Sequence, residues 1–251
     1  MLTQPEINRY RRQIQLNEIQ LKGQEQLKNA KVLVIGAGGL GCPVLQYLCA
    51  AGVGHLGIVD FDLVDETNLH RQVIFGDDDV GKPKARVVYQ KLIQQNKYIK
   101  LEHHDCKLDV GNALELFSAY HIIVDCSDNF ETRYIINDAC VHLKKPMVYG
   151  GIHKFEGQMA VFNLNQNSPT YRCAFPEKSA DADIINCSIT GVLGTLPGII
   201  GTMQANEVLK IITGIGEVVS GKMILYNGLN NTMNQINLRR NKDVLCSHFT
   251  G

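Results

Sequence analysis

The chain has 251 residues, with 25 basic and 25 acidic side chains and a formal net charge of zero at pH 7. A protein that binds nucleic acid through its phosphates usually carries a basic surplus, so this balance argues against a nucleic-acid partner. Hydrophobic residues make up 45% of the sequence, with 23 glycines and 7 prolines, which indicates a globular chain rather than a disordered or fibrous one.

No segment of the sequence predicts export or membrane insertion. Residues 1–13 lack the apolar run of a secretory signal. The longest apolar stretch, 191–203, is short and is interrupted by Thr195 and Pro197, so we expect no membrane span. The eight cysteines form no Cys-x-x-Cys pair, which predicts reduced thiols in a cytoplasmic protein.

Strand and helix patterns alternate from residue 31 to about residue 150. The predicted strands are 31–36, 55–61, 101–104, 122–125 and 147–149, and the predicted helices are 40–51, 84–95, 113–117 and 130–143. Such alternation is typical of right-handed βαβ units around a parallel sheet. A helix that begins near Pro5 carries Arg9, Arg11 and Arg12, for which a solvated basic face is the simplest interpretation.

The pattern changes after Gly151. We expect a strand at 158–162, an irregular segment at 163–187, a helix at 197–213, and strands at 222–226 and 233–238 joined by a hairpin at Asn230–Asn231. An irregular connection this long is uncommon unless it binds something or moves. The sequence predicts one α/β domain over 1–251, with an N-terminal helical arm at 1–30, a nucleotide-binding half at 31–150 and a mixed-sheet half at 151–251.

A glycine-rich turn, Gly36 to Gly41, joins the first predicted strand to a helix. Glycine permits a tight turn and a close backbone approach, and the helix N-terminus presents N–H groups to a phosphate. Asp60 ends the second predicted strand, where its carboxylate can accept hydrogen bonds from ribose hydroxyls. We predict a nucleotide site that includes Gly36, Gly38, Gly39, Gly41 and Asp60. A turn without a ligand is one alternative, and an NAD or FAD site is the other.

The residues after Asp60 favour a polyphosphate over hydride chemistry. Asn68 and Arg71 follow the second strand, near where nucleotide phosphates would lie. Lys84 begins the next helix, where a cation opposes the helix dipole at a cost of about 0.3–1 kcal/mol. A polyphosphate beside Lys84 would explain this local violation. The alternative is that the acidic run 77–79 neutralises Lys84.

Two further residues could carry chemistry. Asp128, in the segment 125–129 after another strand, could hold Mg²⁺ against phosphate oxygens. Its alternative role is a capping box with Glu131 at the start of the next helix. Cys187 closes the irregular segment and could be a nucleophile, or equally a small buried hydrophobic side chain.

Together these motifs resemble the ThiF/MoeB/HesA family, which adenylylates ubiquitin-like sulfur carriers and is related to the ubiquitin-activating enzymes. The motifs stand in the family's order: RYRRQI (9–14), GAGGLG (36–41), VDFD (59–62), NLHRQ (68–72), GKPK (81–84), DCSDN (125–129), YRCAFPE (171–177) and NCSITGVLG (186–194). The resemblance covers essentially the whole chain. It implies a Rossmann-like, largely parallel sheet extended by antiparallel strands, as in ubiquitin-activating enzymes, and a homodimer.

The resemblance also implies a reaction. The carrier's C-terminal Gly-Gly carboxylate would attack the α-phosphorus of MgATP, giving an acyl-adenylate and pyrophosphate. The glycine loop would pack against the adenosine and phosphates, and Asp60 would bind the ribose. The residues that would contact phosphate or Mg²⁺ are Asn68, Arg71, Lys84, Asp128 and Asn129, with Asp128 as the Mg²⁺ ligand. Arg12 would reach into the partner subunit's site.

The resemblance assigns the second half of the chain to the carrier. Residues 151–251 would bind it, with 163–187 as a crossover loop, and a separate protein would donate the sulfur. Cys187 aligns with a cysteine that can form a covalent link to the activated carrier in the thiamine branch. This favours thiamine over molybdopterin biosynthesis slightly and leaves the carrier open.

The sequence departs from the family at one place. Family members usually hold a tetrahedral zinc between two Cys-x-x-Cys pairs, whereas here Thr170 replaces one cysteine and Cys246 has no paired cysteine. Cys173, Cys246 and His248 supply at most three ligands, and structural zinc sites use four. We therefore predict no structural zinc.

The sequence also allows two other classes of function. An NAD-dependent oxidoreductase would use the glycine loop and Asp60, but it would leave Arg71, Lys84 and Asp128 without a role. A non-catalytic carrier-binding relative would account for the altered zinc site, but not for a costly cation at the start of a helix.

Overall fold

The computed structural model describes residues 1–176, 191–243 and 248–249. Within them the chain folds around one eight-stranded sheet in the order β3-β2-β1-β4-β5-β6-β7-β8. The strands are β1 Lys31–Ile35, β2 His55–Val59, β3 Lys100–His104, β4 Ile122–Asp125, β5 Met147–His153, β6 Glu156–Phe162, β7 Lys222–Asn227 and β8 Thr232–Asn237. The helices are α1 Gln4–Arg9, α2 Arg11–Ile14, α3 Gln20–Asn29, α4 Gly41–Ala51, α5 Lys84–Gln95, α6 Ala113–Ser118, α7 Phe130–His142, α8 Tyr171–Ala174 and α9 Leu196–Thr213.

Strands β1 to β5 form the parallel part of the sheet. β1 and β4 are apolar and buried on both faces, as parallel strands covered by helices must be. Ile35 at the end of β1 pairs with Val59 of β2 and with Asp125 of β4. Because these three strands end at the same level, the segments that follow them meet at one edge of the sheet.

The remaining strands extend the sheet antiparallel to β5. β5 pairs with β6, β6 with β7, and β7 with β8. The β7–β8 hairpin turns through residues 228–231, where Asn231 takes a positive φ of 54°. The predicted mixed α/β architecture and the predicted hairpin are confirmed.

Two hydrophobic layers cover the sheet. On one face, α3, α4, α5 and α9 contribute side chains such as Leu45, Val88 and Ile200. On the other face, α6 and α7 pack Phe117 and Ile136 against the strands. The helices thus leave the carboxyl edge of the parallel strands uncovered.

The predicted boundaries need some corrections. β5 continues to His153 because β6 pairs with it along its whole length, which its apolar pattern alone did not indicate. Helix α3 falls within the predicted helical arm 1–30, but its bounds were not predicted, since its sequence has few apolar residues and contains a glycine. The segment predicted to be irregular contains α8, and residues 177–187 lie outside the described part.

Among the described residues, no helix is both long enough and apolar enough to cross a bilayer.

Candidate nucleotide-binding site

A cavity of about 320 Å³ opens at the carboxyl edge of β1, β2 and β4. It brings together residues from five separate motifs of the sequence. Eight of the predicted site residues line it: Gly36, Gly38, Gly39, Asp60, Arg71, Lys84, Asp128 and Asn129. Ligands of open α/β sheets bind at this edge, where the strand order reverses between β1 and β4.

The glycines of the turn have two roles: some allow close backbone packing, and others form the wall of the cavity. Gly36 has a φ of +95°, and a Cβ there would lie 2.6 Å from the carbonyl oxygen of Cys126. A Cβ on Gly41 would lie 2.0 Å from the carbonyl oxygen of Gly36. Gly41 does not line the cavity; it lets α4 begin directly against the turn. Gly38 and Gly39 lie on the cavity wall and present backbone to a ligand.

Asp60 is held rigidly at the end of β2. Its two carboxylate oxygens accept hydrogen bonds from the backbone N–H groups of Ala37, at 2.7 Å, and Asp62, at 2.8 Å. Burial raises the pKa of Asp60, and these hydrogen bonds and nearby Lys84 offset only part of that effect. Each carboxylate oxygen can still accept one further hydrogen bond, which is what a ribose diol requires.

Lys84 is a buried cation at the start of α5, with only 5% of its surface exposed. Its Nζ lies 2.8 Å from Oδ2 of Asp62, whose side chain is half exposed. The alternative that residues 77–79 neutralise Lys84 is wrong. Asp79 instead accepts hydrogen bonds from the backbone N–H of Gly76 and from Lys91, which lies two turns further along α5.

Arg71 and Asn68 occupy different positions around the cavity. Arg71 is half-buried, lines the cavity, and donates through Nη1 to the carbonyl of Thr67 at 2.9 Å. Asn68 ends the 3-10 helix Glu66–Asn68 and is not among the lining residues. A ligand in the cavity would have to extend beyond the cavity wall to contact the Asn68 amide.

Asp128 is exposed at the cavity mouth, at the start of α7. The N-cap of α7 is Asn129, whose Oδ1 accepts the backbone N–H of Thr132 at 2.9 Å. The capping-box alternative for Asp128 is therefore wrong. Asp128 accepts one long hydrogen bond, from Asn129 Nδ2 at 3.3 Å, which leaves the carboxylate accessible. If phosphates bind in this cavity, a single accessible carboxylate matches the usual Mg²⁺ arrangement, in which substrate phosphates and water complete the coordination.

Arg133 is a cavity residue that the sequence analysis missed. It is 8% exposed, and its Nη2 donates to the carbonyl of Ser127 at 2.9 Å. Burial lowers its pKa, but nearby Tyr149 and Asp125 outweigh burial and raise it, so the guanidinium stays charged. Like Lys84, Arg133 is a cation in the first turn of a helix at the ligand edge. The signal that identified Lys84 could therefore have identified Arg133.

Gln72 adds an unsatisfied acceptor to the same wall. It is only 4% exposed, and its Oε1 makes no hydrogen bond with any described residue. A buried acceptor without a partner is costly, at about 1–3 kcal/mol. It therefore favours a polar ligand in this cavity.

Three of the described predicted site residues do not line the cavity: Gly41, Asn68 and Arg12. Arg12 lies on α2, exposed, and does not line the cavity of its own chain. Cys187 lies outside the described residues.

A second, apolar groove of about 730 Å³ lies beside the cavity and shares Arg71 with it. Its walls come from the start of α9, the 70–73 segment and Pro43. Val73 and Leu193 on its rim are exposed hydrophobic side chains. The groove is therefore a candidate docking surface.

Cys173, one of the three remaining candidate zinc ligands, makes hydrogen bonds with neighbouring residues. Its Sγ lies 3.2 Å from Thr170 Oγ1 and accepts the backbone N–H of Asn241 at 3.4 Å. Burial raises the pKa of Cys173, and these hydrogen bonds outweigh it, so the net pKa is lowered. The described residues contain no group of three or more His, Cys, Asp or Glu side chains placed to hold a metal. Cys246 lies outside them, so the absence of zinc stays a prediction.

A buried ion pair joins the C-terminal residues to this region. Arg172 Nε and Nη2 donate to the two carboxylate oxygens of Asp138 at 2.7 and 2.9 Å. His248 Nδ1 lies 2.7 Å from Oδ2 of the same carboxylate. The three side chains link α7, α8 and the end of the chain.

Known proteins share this sequence and fold. A sulfur carrier protein adenylyltransferase of Thermus thermophilus is 45% identical over 243 residues, which cover 95% of this chain and 90% of the relative. The adenylyltransferase and sulfurtransferase MOCS3 of Aedes aegypti is 46% identical over 241 residues; the match covers 96% of this chain but only 55% of MOCS3. The solved structure of E. coli MccB with ATP superposes with a TM-score of 0.79 at 26% identity, covering 88% of this chain and 67% of that one. A sequence model of the ThiF family matches residues 10–248. The chain therefore belongs to the ThiF family.

Proposed function

We propose that this chain is an ATP-dependent adenylyltransferase of a ubiquitin-like sulfur carrier protein. The observation that carries the proposal is the composition of the cavity. The cavity is lined by the Asp60 carboxylate, by the glycine turn, by the exposed carboxylate of Asp128, and by three cations, Arg71, Lys84 and Arg133. The named activity of the Thermus thermophilus relative supports the same reaction.

The side chains divide the work between binding and charge stabilisation. Asp60 accepts the ribose hydroxyls, and the Gly38–Gly39 backbone packs against the phosphates. The carrier carboxylate forms a bond to the α-phosphorus while the bond from that phosphorus to the β-bridging oxygen breaks. Arg71 and Lys84 stabilise the negative charge that moves onto pyrophosphate, because cations fixed in advance need no reorganisation during the reaction.

Asp128 is the proposed ligand of Mg²⁺. When bound, the ion would neutralise phosphate charge and orient the phosphate chain. Asn129 fixes the backbone at Asp128 by capping α7, so the carboxylate is held at the cavity mouth without having to stabilise the helix itself. Asn68 lies three residues before Arg71 and outside the cavity wall, and we propose that it contacts the terminal phosphates.

A protein substrate fits the surface around the cavity mouth. Phe155 and Leu229 are exposed hydrophobic residues of the antiparallel half. Phe155 and the 228–229 turn are joined by a backbone hydrogen bond from Gly228 to the carbonyl of Phe155, at 2.7 Å. We propose that this half, residues 151–251 with the crossover loop 163–187, binds the body of the carrier. A separate protein would supply the sulfur.

We further propose a homodimer in which Arg12 acts on the partner subunit's site. Arg12 is exposed on the N-terminal arm, where Leu16 and Leu21 are also exposed. The apolar groove beside the cavity reaches Arg71, so an arm seated there could bring an arginine to the phosphate end of the nucleotide. A second copy of this chain is the occupant we propose for the groove.

We also propose a catalytic role for Cys187 and a cytoplasmic location for the protein. Cys187 would form a covalent link to the activated carrier, as the resemblance to the thiamine branch implies. The described cysteines are free thiols, four of them buried, which supports a reducing, cytoplasmic environment.

ATP–pyrophosphate exchange tests the function. The purified protein is assayed with a thiamine-type carrier, with a molybdopterin-type carrier and with no carrier. We expect exchange that depends on one carrier and is abolished by Asp128→Ala, with Glu131→Gln as a control that leaves exchange unchanged. ATP binding without exchange for either carrier would contradict the proposal.

A further inference from the structure

Lys154 is an exposed cation on the rim of the nucleotide cavity. It occupies the two-residue connection between β5 and β6, where His153 pairs with Glu156. Its φ is +52°, a left-handed conformation that is unfavourable for residues with a Cβ and that is usually taken by Gly or Asn. A lysine at this position therefore adds strain, by about 1 kcal/mol, that a glycine would avoid.

The backbone of Lys154 is braced from both sides. Its carbonyl accepts the N–H of Leu193 at 3.0 Å, and it forms a bridge with Val192. The next residue, Phe155, accepts the N–H of Gly228 at 2.7 Å. The hairpin tip is therefore fixed relative to the start of α9 and to the β7–β8 turn, while the ammonium group of Lys154 is exposed.

The ammonium group has no acidic partner among the described residues, although Lys28, Lys84 and Lys91 each lie in an ion pair. Its charge is therefore available to a ligand. Because it lines the cavity that already holds Arg71 and Lys84, it extends the positive surface from the interior to the rim.

The order of the strands places Lys154 relative to the nucleotide. Asp60 follows β2, the glycine turn follows β1, Asp128 follows β4, and Lys154 follows β5, which is the neighbour of β4. The proposed ribose site at Asp60 and Lys154 therefore lie on opposite sides of the phosphate-binding turn. An acceptor group that approaches from the antiparallel half passes Lys154 before it meets the α-phosphorus.

We infer that Lys154 is a substrate-positioning residue that binds the terminal carboxylate of the carrier and guides it to the α-phosphorus. This inference rests on the proposed adenylylation. Its physical reason is charge: a carboxylate that approaches a triphosphate is repelled, and a cation at the entrance offsets this repulsion. Lysine suits the role, since its long flexible side chain can follow a carboxylate inward as a mobile point charge.

Carrier binding without ATP tests the inference. The probe is a thiamine-type sulfur carrier in two forms, one with a free terminal carboxylate and one with a terminal carboxamide; a molybdopterin-type pair is run in parallel. Lys154→Met is compared with Lys154→Arg and with Lys144→Met. Lys144 is a matched control because it is also exposed and left-handed, with a φ of +53°, and lies away from the cavity.

We expect Lys154→Met to weaken binding of the carboxylate form about tenfold, as the loss of one charge-assisted contact does. The same variant should bind the carboxamide form as the wild type does, and Lys154→Arg should restore most of the loss. Lys144→Met should change nothing. In turnover, Lys154→Met should raise KM for the carrier while KM for ATP stays unchanged.

The outcomes separate the inference from the proposed function. Equal weakening of both carrier forms, or no weakening of either, would overturn the assignment of Lys154, while pyrophosphate exchange by the wild type would still support adenylylation. If the wild type showed no exchange with either carrier, the proposed function itself would fail, and the inference with it.

Discussion

Replacing Lys84 with methionine should abolish activity while leaving the fold intact. Methionine keeps most of the side-chain volume of this buried position and removes only the charge. The structure gives Lys84 no capping role, since a cation in the first turn of α5 opposes the helix dipole. We therefore expect its charge, which pairs with Asp62, to serve the proposed phosphate ligand more than the helix.

The change in stability follows from the local contacts. Losing the Lys84–Asp62 pair costs little, because the Asp62 side chain is 48% exposed and becomes hydrated when the partner is removed. The Asp60 carboxylate loses a nearby cation but keeps its two backbone hydrogen bonds. Removing the cation from the start of the helix relieves its unfavourable interaction with the helix dipole and stabilises the fold by about 0.3–1 kcal/mol. Removing a buried ammonium group also ends its desolvation penalty. The free energy of unfolding should therefore change by less than about 1 kcal/mol, in either direction.

The change in activity should be far larger. Loss of one preorganised group that stabilises transition-state charge typically lowers the rate by about 100- to 1,000-fold. We expect a fall of that size in carrier-dependent pyrophosphate exchange, measured beside urea unfolding of the same preparation.

Lys91→Met is the matched control, since Lys91 lies on the same helix and pairs with Asp79 away from the cavity. It leaves Asp79, whose side chain is largely buried, with the Gly76 N–H but without its cationic partner, so it should lower the free energy of unfolding by about 1–3 kcal/mol and leave exchange unchanged. If Lys84→Met were instead strongly destabilised, or retained more than about a tenth of wild-type exchange, the assignment of Lys84 to the phosphates would be refuted.

Three further predictions follow from other parts of the structure. The Arg12→Ala and Lys84→Met proteins should each be inactive alone. After equal mixing and subunit exchange, they should recover about a quarter of wild-type exchange activity, because half of the dimers are mixed and each mixed dimer has one complete site. No recovery despite proven subunit exchange would exclude Arg12 acting in trans. Burial raises the pKa of Glu6, but hydrogen bonds from Lys28 and Thr3 outweigh it and lower the pKa to about 2. Since this value lies below that of the unfolded chain, Glu6→Gln should cost about 2 kcal/mol of stability at pH 7, and the difference from wild type should shrink as the pH falls from about 4.5 towards 2; a difference independent of pH would contradict the role of the Glu6 charge. Metal analysis of protein purified without chelators should find zinc well below one equivalent per chain, because Thr170 replaces a ligand; about one equivalent would contradict that prediction.

The parallel half of the fold is well predicted because its signals are local. Buried strands and amphipathic helices can be identified from short windows of sequence, and the predicted bounds of α5 and β4 coincide with the observed ones. α3 could not be found in this way. Its weakly apolar sequence is held as a helix by packing against α9 and α2, which no local pattern reveals.

The sequence predicted those cavity residues that lie in a recognisable motif. It did not predict which residues pair with them in the structure. Lys84 pairs with Asp62, 22 positions earlier, because an isolated antiparallel β-bridge joins Leu63 and Pro83. That contact depends on tertiary structure, so the neighbouring acidic run was the more obvious candidate from sequence. Asp128 and Asn129 show the same limit at shorter range: adjacent residues could each cap α7, and only the backbone geometry assigns the cap to Asn129.

Transfer of isotope from ATP to the carrier tests the central claim most directly. The protein is incubated with a sulfur carrier and with ATP labelled in either the α- or the γ-phosphate, and the carrier is recovered under denaturing acidic conditions. Attack of the terminal carboxylate on the α-phosphorus predicts that only α-label is found on the carrier, and that Asp128→Ala and the terminal carboxamide each abolish it. Label transferred from the γ-phosphate, or label that persists on the carboxamide carrier, would contradict the account.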